Sequence, residues 1–195
     1  VNLVPAADGM KVRTHTPFES PWRVFFLADN AADLANSMLL YNLNEPCKIE
    51  NTDWIKPINY IGIWWEMHLG ISDWAMTDRH GATTENMKRY IDFAAAHGID
   101  AVLAEGWNKG WENWGEKDAF SFTEAYPDFK LKELAEYANE KGVYIIGHHE
   151  TGGDIESYER QLDSAFALYQ SLGIHHVKTG YAGPSPKGEH KHGQY

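Results

Sequence analysis

Three stretches of the chain repeat one pattern: AHGIDAVLAEG (96–106), EKGVYIIGHHE (140–150) and SLGIHHVKTGY (171–181). In each, a helix-like run stops at a glycine (Gly98, Gly142, Gly173). A β-rich segment follows at once, and polar side chains stand at or near its far end. A β-strand that rejoins its neighbour only after a helix pairs in parallel, because a crossover of that length cannot close as a hairpin. Repeated units of this kind, with charged groups at the strand ends, predict a parallel α/β barrel whose site gathers at the C-terminal mouth of the strands.

The periodicity sets the element boundaries. YIGIWW (60–65), residues 99–105, VYIIGHHE (143–150) and IHHVKTGY (174–181) read as four strands. ENMKRYIDFAAAHG carries Met87, Tyr90, Ile91 and Ala94 on one face, with Thr83 or Thr84 as its cap and Gly98 as a left-handed stop. Helices also follow Asp128 and Asp154. Residues 66–82 and 106–127 read as loops, the second too aromatic to be a solvated linker and placed to lie over a site. Upstream, residues 22–28 (WRVFFLA) predict a short buried strand. Asp29 or Asn30 then caps a helical run through Leu34, Met38 and Tyr41. Residues 44–57 read as a connecting loop and 182–195 as an aperiodic tail. Four strands are half of an eight-stranded barrel, so the chain reads as a partial barrel that continues beyond Tyr195.

Bulk properties exclude some functions. A formal charge of −11 argues against a nucleic-acid partner. No run of about 18 apolar residues offers a membrane span. The single cysteine, Cys47, rules out an internal disulfide.

The strand ends carry the candidate chemistry. His148 and Glu150 share one face of their strand and His149 takes the other. Glu150 is placed as a general base, and Glu105 beside it supplies a second carboxylate, as glycoside hydrolysis requires. Lys178 must meet substrate or a carboxylate if it points inward, since an unpaired buried ammonium is costly. Trp65, Trp74, Trp107 and Trp111 lie near strand ends, where rings stack on the apolar faces of sugars. His-x-Glu also suits zinc or iron, although no third ligand with matching spacing is present. His175 and His176 begin their strand, away from the mouth, and read as structural; His190 and His192 lie in the tail.

Together YIGIWWEM, IDFAAAHGIDAVLAEGWNKGWENW, YPDFKLKELAEYANEKGV, GHHET, YERQLDSAF, VKTGYAG and GEHKHGQ, covering roughly residues 20–195, resemble glycoside hydrolase family 97. The resemblance implies a long bacterial enzyme with an N-terminal β-sandwich, a catalytic (β/α)8 TIM barrel and a small C-terminal β domain. On that template residues 1–57 correspond to the end of the sandwich and a linker, and 58–195 to the first half of the barrel. It implies Glu150 as the base, and Glu105, His148 and Lys178 as contacts to the terminal sugar; Trp107 or Trp65 is expected to shape the pocket. Retaining members of the family carry a nucleophilic aspartate at the end of the fourth strand, where this chain has Gly180. The resemblance therefore implies the inverting branch: a calcium-dependent, exo-acting α-glucosidase acting on oligosaccharides. The general acid and the main calcium ligands are expected outside the chain, which alone is expected to be inactive. It further suggests a periplasmic or secreted setting. Three rivals stand beside it: an α-galactosidase of the same family, a non-catalytic sugar-binding protein, and a metal-dependent barrel hydrolase built on His148 and Glu150.

Overall fold

The computed structural model describes residue 6 and residues 8–180. The chain divides into two units between Lys56 and Pro57.

The second unit is built on four parallel strands in the order β1-β2-β3-β4, which is also their order in the chain. They are β1 (Tyr60–Gly62), β2 (Ala101–Leu103), β3 (Tyr144–His149) and β4 (His176–Thr179). This sequential parallel order is the one that opens a (β/α)8 barrel. Between the strands run α4 (Thr84–His97), α5 (Leu131–Glu140) and α6 (Ile155–Ser171). Local chemistry explains where α4 and α6 start and where α4 stops, whereas α5 begins after Lys130 without a side-chain cap. The Thr83 hydroxyl accepts the Asn86 amide at 3.1 Å, and Asp154 accepts that of Ser157 at 3.1 Å, so each takes up a donor with no partner inside the helix. Gly98 closes α4 in the left-handed region at φ 66°, where a Cβ would be strained.

Alternation along the strands divides the side chains between two faces. Val102, Ala104, Ile145 and Val177 pack outward against Met87, Ile91, Leu134 and Tyr169 of the helices. Ala101, Leu103 and Ile146 face the other way, with Ile58 and Trp64. Carried two residues on, that second face holds Glu105, His148 and Glu150. Register brings in β4: Cα pairing places His148 beside Lys178.

Several sequence expectations shift. The first strand ends at Gly62 rather than at residue 65, and α3 (Trp64–His68) follows in what reads as loop. The Trp64 ring folds back over Gly62, where any Cβ would collide with it, so the chain turns at once. In the first unit, residues 22–28 form no strand among the described residues; Trp22 and Phe25 are exposed there. A strand is stabilised by its ladder partner, and apolar composition alone does not supply one. The single helix expected after Asn30 is two short ones, α1 (Ala31–Ala35) and α2 (Leu39–Leu43). Asn36 and Ser37, poor helix formers, interrupt it. The tail with His190 and His192 lies outside the described residues. No helix among the described residues is long and apolar enough to cross a membrane.

Candidate active site

Glu105 is the hub of the strand-end cluster. It is 7% exposed, one carboxylate oxygen accepting the Trp74 indole N–H at 2.9 Å and the other accepting the Lys178 ammonium at 3.2 Å. Lys178 thus meets the partner that an inward-pointing cation requires, and its ammonium also lies 5.6 Å from the centre of the Trp64 ring.

His148 stands on the same face, fully buried, its Nε2 3.8 Å from Glu105. Burial pushes its pKa down to about 4; the Glu105 carboxylate opposes that shift, and the Lys178 ammonium adds to it. The ring is therefore neutral at pH 7, and its approach to Glu105 is not an ion pair. Trp111 stacks on it at 6.0 Å. His148 Nδ1 has no hydrogen-bond partner among the described residues.

Glu150 follows β3 and is 7% exposed; one of its oxygens accepts the Gly152 amide at 2.7 Å. Gly180 faces it, and the Gly180 amide donates to the His149 carbonyl at 2.7 Å. A Cβ at position 180 would overlap the Glu150 carboxylate, so glycine is what gives that carboxylate its room.

A hollow of about 510 Å³ opens here, lined by Trp74, Trp111, Trp114, Glu105 and Glu150, with Asp73, Ala75 and Thr77 at its rim. That size suits a small-molecule site. Trp74 and Trp111 stack at 6.1 Å with only 18° between their planes and make one aromatic wall. An aromatic wall beside two carboxylates offers a stacking face on one side and hydrogen-bond acceptors on the other.

Two of the expected residues lie elsewhere. Trp107 is in the core, 1% exposed, its indole N–H donating to the His148 carbonyl at 2.8 Å. Trp65 is 59% exposed and lines a separate surface hollow beside Tyr60 and Phe93. Trp74 and Trp111 take the wall instead. Spacing past a strand end shows that such tryptophans are near the mouth, but only the course of the loops decides which rings face it.

His149 points to the back of the sheet, stacked on Tyr169 at 4.7 Å and bonded through Nδ1 to the Tyr158 hydroxyl at 3.1 Å. Its pKa is also pushed down to about 4, by burial and by the neighbouring His148. No group of three or more metal-ligating side chains forms among the described residues. Calcium wants six to eight oxygen donors. The described residues do not make such a set.

The strand ends of this parallel α/β sheet converge two carboxylates, a neutral histidine and a tryptophan wall on one hollow. Comparison with known proteins supplies the class. The family model for glycoside hydrolase 97 matches residues 64–195, and that for the glycosyl-hydrolase 97 N-terminal region matches residues 1–46. The chain belongs to glycoside hydrolase family 97. A family 97 enzyme of Pseudoalteromonas sp. strain K8, solved as a variant with panose, is 50% identical with a TM-score of 0.74; the match covers 80% of this chain and 24% of that one. The acarbose complex of a family 97 enzyme from the same organism gives 49%, 0.72, 80% and 24%. A retaining α-galactosidase of Bacteroides thetaiotaomicron is 28% identical over 185 residues, 92% of this chain and 25% of the relative. The chain thus spans about a quarter of the length of the relatives it matches.

Proposed function

We propose that the protein acts as an exo-acting α-glucosidase that hydrolyses oligosaccharides with inversion. The observation that carries this is the Glu150–Gly180 pair. By the family resemblance, a retaining member places its nucleophilic aspartate where this chain has Gly180. Here that position holds no side chain, and Glu150 occupies the space beside it.

In this mechanism Glu150 takes a proton from a water molecule on one face of the sugar, and the hydroxide equivalent attacks the anomeric carbon. The Gly152 amide aims the carboxylate. Glu105 and Lys178 bind the hydroxyls of the terminal sugar as a fixed acceptor–donor pair. With both of its oxygens already accepting hydrogen bonds, Glu105 is set up to hold sugar rather than to protonate a leaving group. Neutral His148 adds a ring nitrogen without adding charge. The Trp74–Trp111 wall stacks the ring. A protonated carboxylic acid on the opposite face must protonate the departing oxygen.

Panose and acarbose, bound in relatives near 50% identity, favour a glucose-type substrate. The α-galactosidase relative supports the alternative, a retaining α-galactosidase, at 28% identity. The deciding experiment incubates the full-length enzyme with aryl α-glucoside and aryl α-galactoside, each with calcium, and follows the first-formed anomer by proton NMR. β-Glucose first is the expected result. α-Glucose first would overturn inversion. Release from the galactoside alone would overturn the sugar assignment, and release from neither would leave a binding protein.

A further inference from the structure

His80 is buried beneath the site, its side chain 2% exposed, and both of its ring nitrogens face acceptors. Nδ1 lies 2.7 Å from an Asp128 carboxylate oxygen, and Nε2 lies 3.0 Å from the Gly106 carbonyl oxygen. A neutral imidazole has one N–H and one lone pair. A carbonyl only accepts, so Nε2 carries a proton. Nδ1 lies at hydrogen-bond distance from the Asp128 carboxyl on the other side of the ring. The ring therefore bridges the Asp128 carboxyl and the Gly106 carbonyl.

Both partners lie on segments that build the site. Gly106 follows Glu105 directly and turns in the left-handed region at φ 84°. A Cβ there would come within 3.2 Å of the Trp74 carbonyl and of the Met67 side chain, so the turn has no slack. His80 closes the loop that carries Trp74: the Asp73 amide donates to the Arg79 carbonyl at 2.8 Å, and the Gly81 amide donates to the Asp73 carbonyl at 3.0 Å. Asp128 anchors the far end of the aromatic loop, its carbonyl accepting the Thr84 amide at 2.8 Å and hydroxyl at 2.7 Å. Tyr126 meets the His80 ring edge-on at 5.0 Å, its hydroxyl donating to Glu112 at 2.7 Å. One ring therefore ties the Trp74 loop to the turn that aims Glu105, the two groups that hydrogen-bond at the pocket wall.

We infer that His80, clamped between Asp128 and Gly106, is a positioning residue that sets Glu105 and Trp74 against the sugar. The inference rests on the sugar-holding role proposed above for Glu105. It does not depend on anomeric outcome or on glucose over galactose.

The test uses the full-length enzyme labelled with ¹⁵N-histidine, together with steady-state kinetics. One histidine ring signal is expected to vanish in His80→Gln and to shift in Asp128→Asn. A His80 signal unmoved in Asp128→Asn would overturn the clamp. His80→Gln keeps a donor for Gly106 and is expected to lower kcat/KM about tenfold, His80→Ala about 10²-fold, the scale of a misplacement near 1 Å. If His80 acts through Glu105, the double variant His80→Gln/Glu105→Gln is no slower than Glu105→Gln alone. Additive losses would mark a general structural effect and overturn the inference, as would unchanged kcat/KM in His80→Gln. If Glu105→Gln itself is as active as wild type, the sugar-holding role fails instead, while the NMR result for the clamp stands separately. Should His80→Ala not fold, His80→Gln and the Asp128→Asn spectrum decide.

Discussion

The two faces of β3 carry adjacent histidines to different ends. On the mouth face, His148 lies beside Glu105, under the Trp111 ring, with Glu150 two residues on. On the back face, His149 is sealed between β3 and α6, stacked on Tyr169 and bonded to Tyr158. Both rings are buried and both have a pKa pushed down to about 4, so protonation does not separate them. What separates them is the company across the sheet: carboxylates, an ammonium and a hollow on one side, helix and aromatic packing on the other. The back also steadies the mouth. Gly147 has no side chain because the Tyr169 ring fills its place, and the Tyr169 hydroxyl and the Trp107 indole both donate to the His148 carbonyl.

That contrast can be broken most sharply at Glu150. Glu150→Gln in the full-length enzyme is expected to lower kcat by about 10²–10⁴-fold, the usual scale for losing a general base. Its urea unfolding midpoint should stay near wild type. Turnover within threefold of wild type would remove Glu150 from the base role.

The opposite signature is expected on the back. Tyr169→Ala leaves a cavity beside Gly147 and should cost about 3–5 kcal/mol of stability, in the range for large aromatic truncations. Denaturant unfolding measures it. A cost under about 1 kcal/mol would mean that the back of β3 does not depend on this ring.

Gly180→Ala tests where the faces meet. The added methyl displaces the Glu150 carboxylate, and activity should fall about 10²-fold with the fold intact. Full activity would show that the carboxylate has room to spare.

The smallest effect concerns what the faces share. Both histidines are neutral when folded and take up protons near pH 6.5 when unfolded. Between about pH 6.5 and 4 the unfolded chain therefore binds more protons, so stability falls as pH drops, by up to about 1.4 kcal/mol per pH unit for each ring. His149→Phe should flatten that slope in urea titrations. An unchanged slope would place the proton uptake elsewhere.

Much of the second unit was legible in the chain. The caps at Thr83 and Asp154, the stop at Gly98 and the strand cores are local effects, set by a few neighbouring residues. Alternation alone put His148 and Glu150 on one face and His149 on the other. The same local logic failed where a long-range partner was needed. Residues 22–28 have strand composition but form no strand among the described residues. Trp107 and Trp65 sit near strand ends, yet one ring turns into the core and the other to the surface. His80 carries no local signal of its importance, because its partners lie 26 and 48 residues away.

By itself, the sequence determined the periodicities: where helices begin and end, that the strands run parallel, and which side chains alternate to a common face. Those follow from backbone geometry and hydrogen bonding within a few residues. Tertiary structure alone decided the partnerships: Lys178 with Glu105 across 73 residues, the Trp74–Trp111 wall, and the fit of Gly180 against Glu150. These depend on how loops cross between strands. That is fixed by close packing among groups distant in the chain, whose order along the sequence does not encode their distance in space.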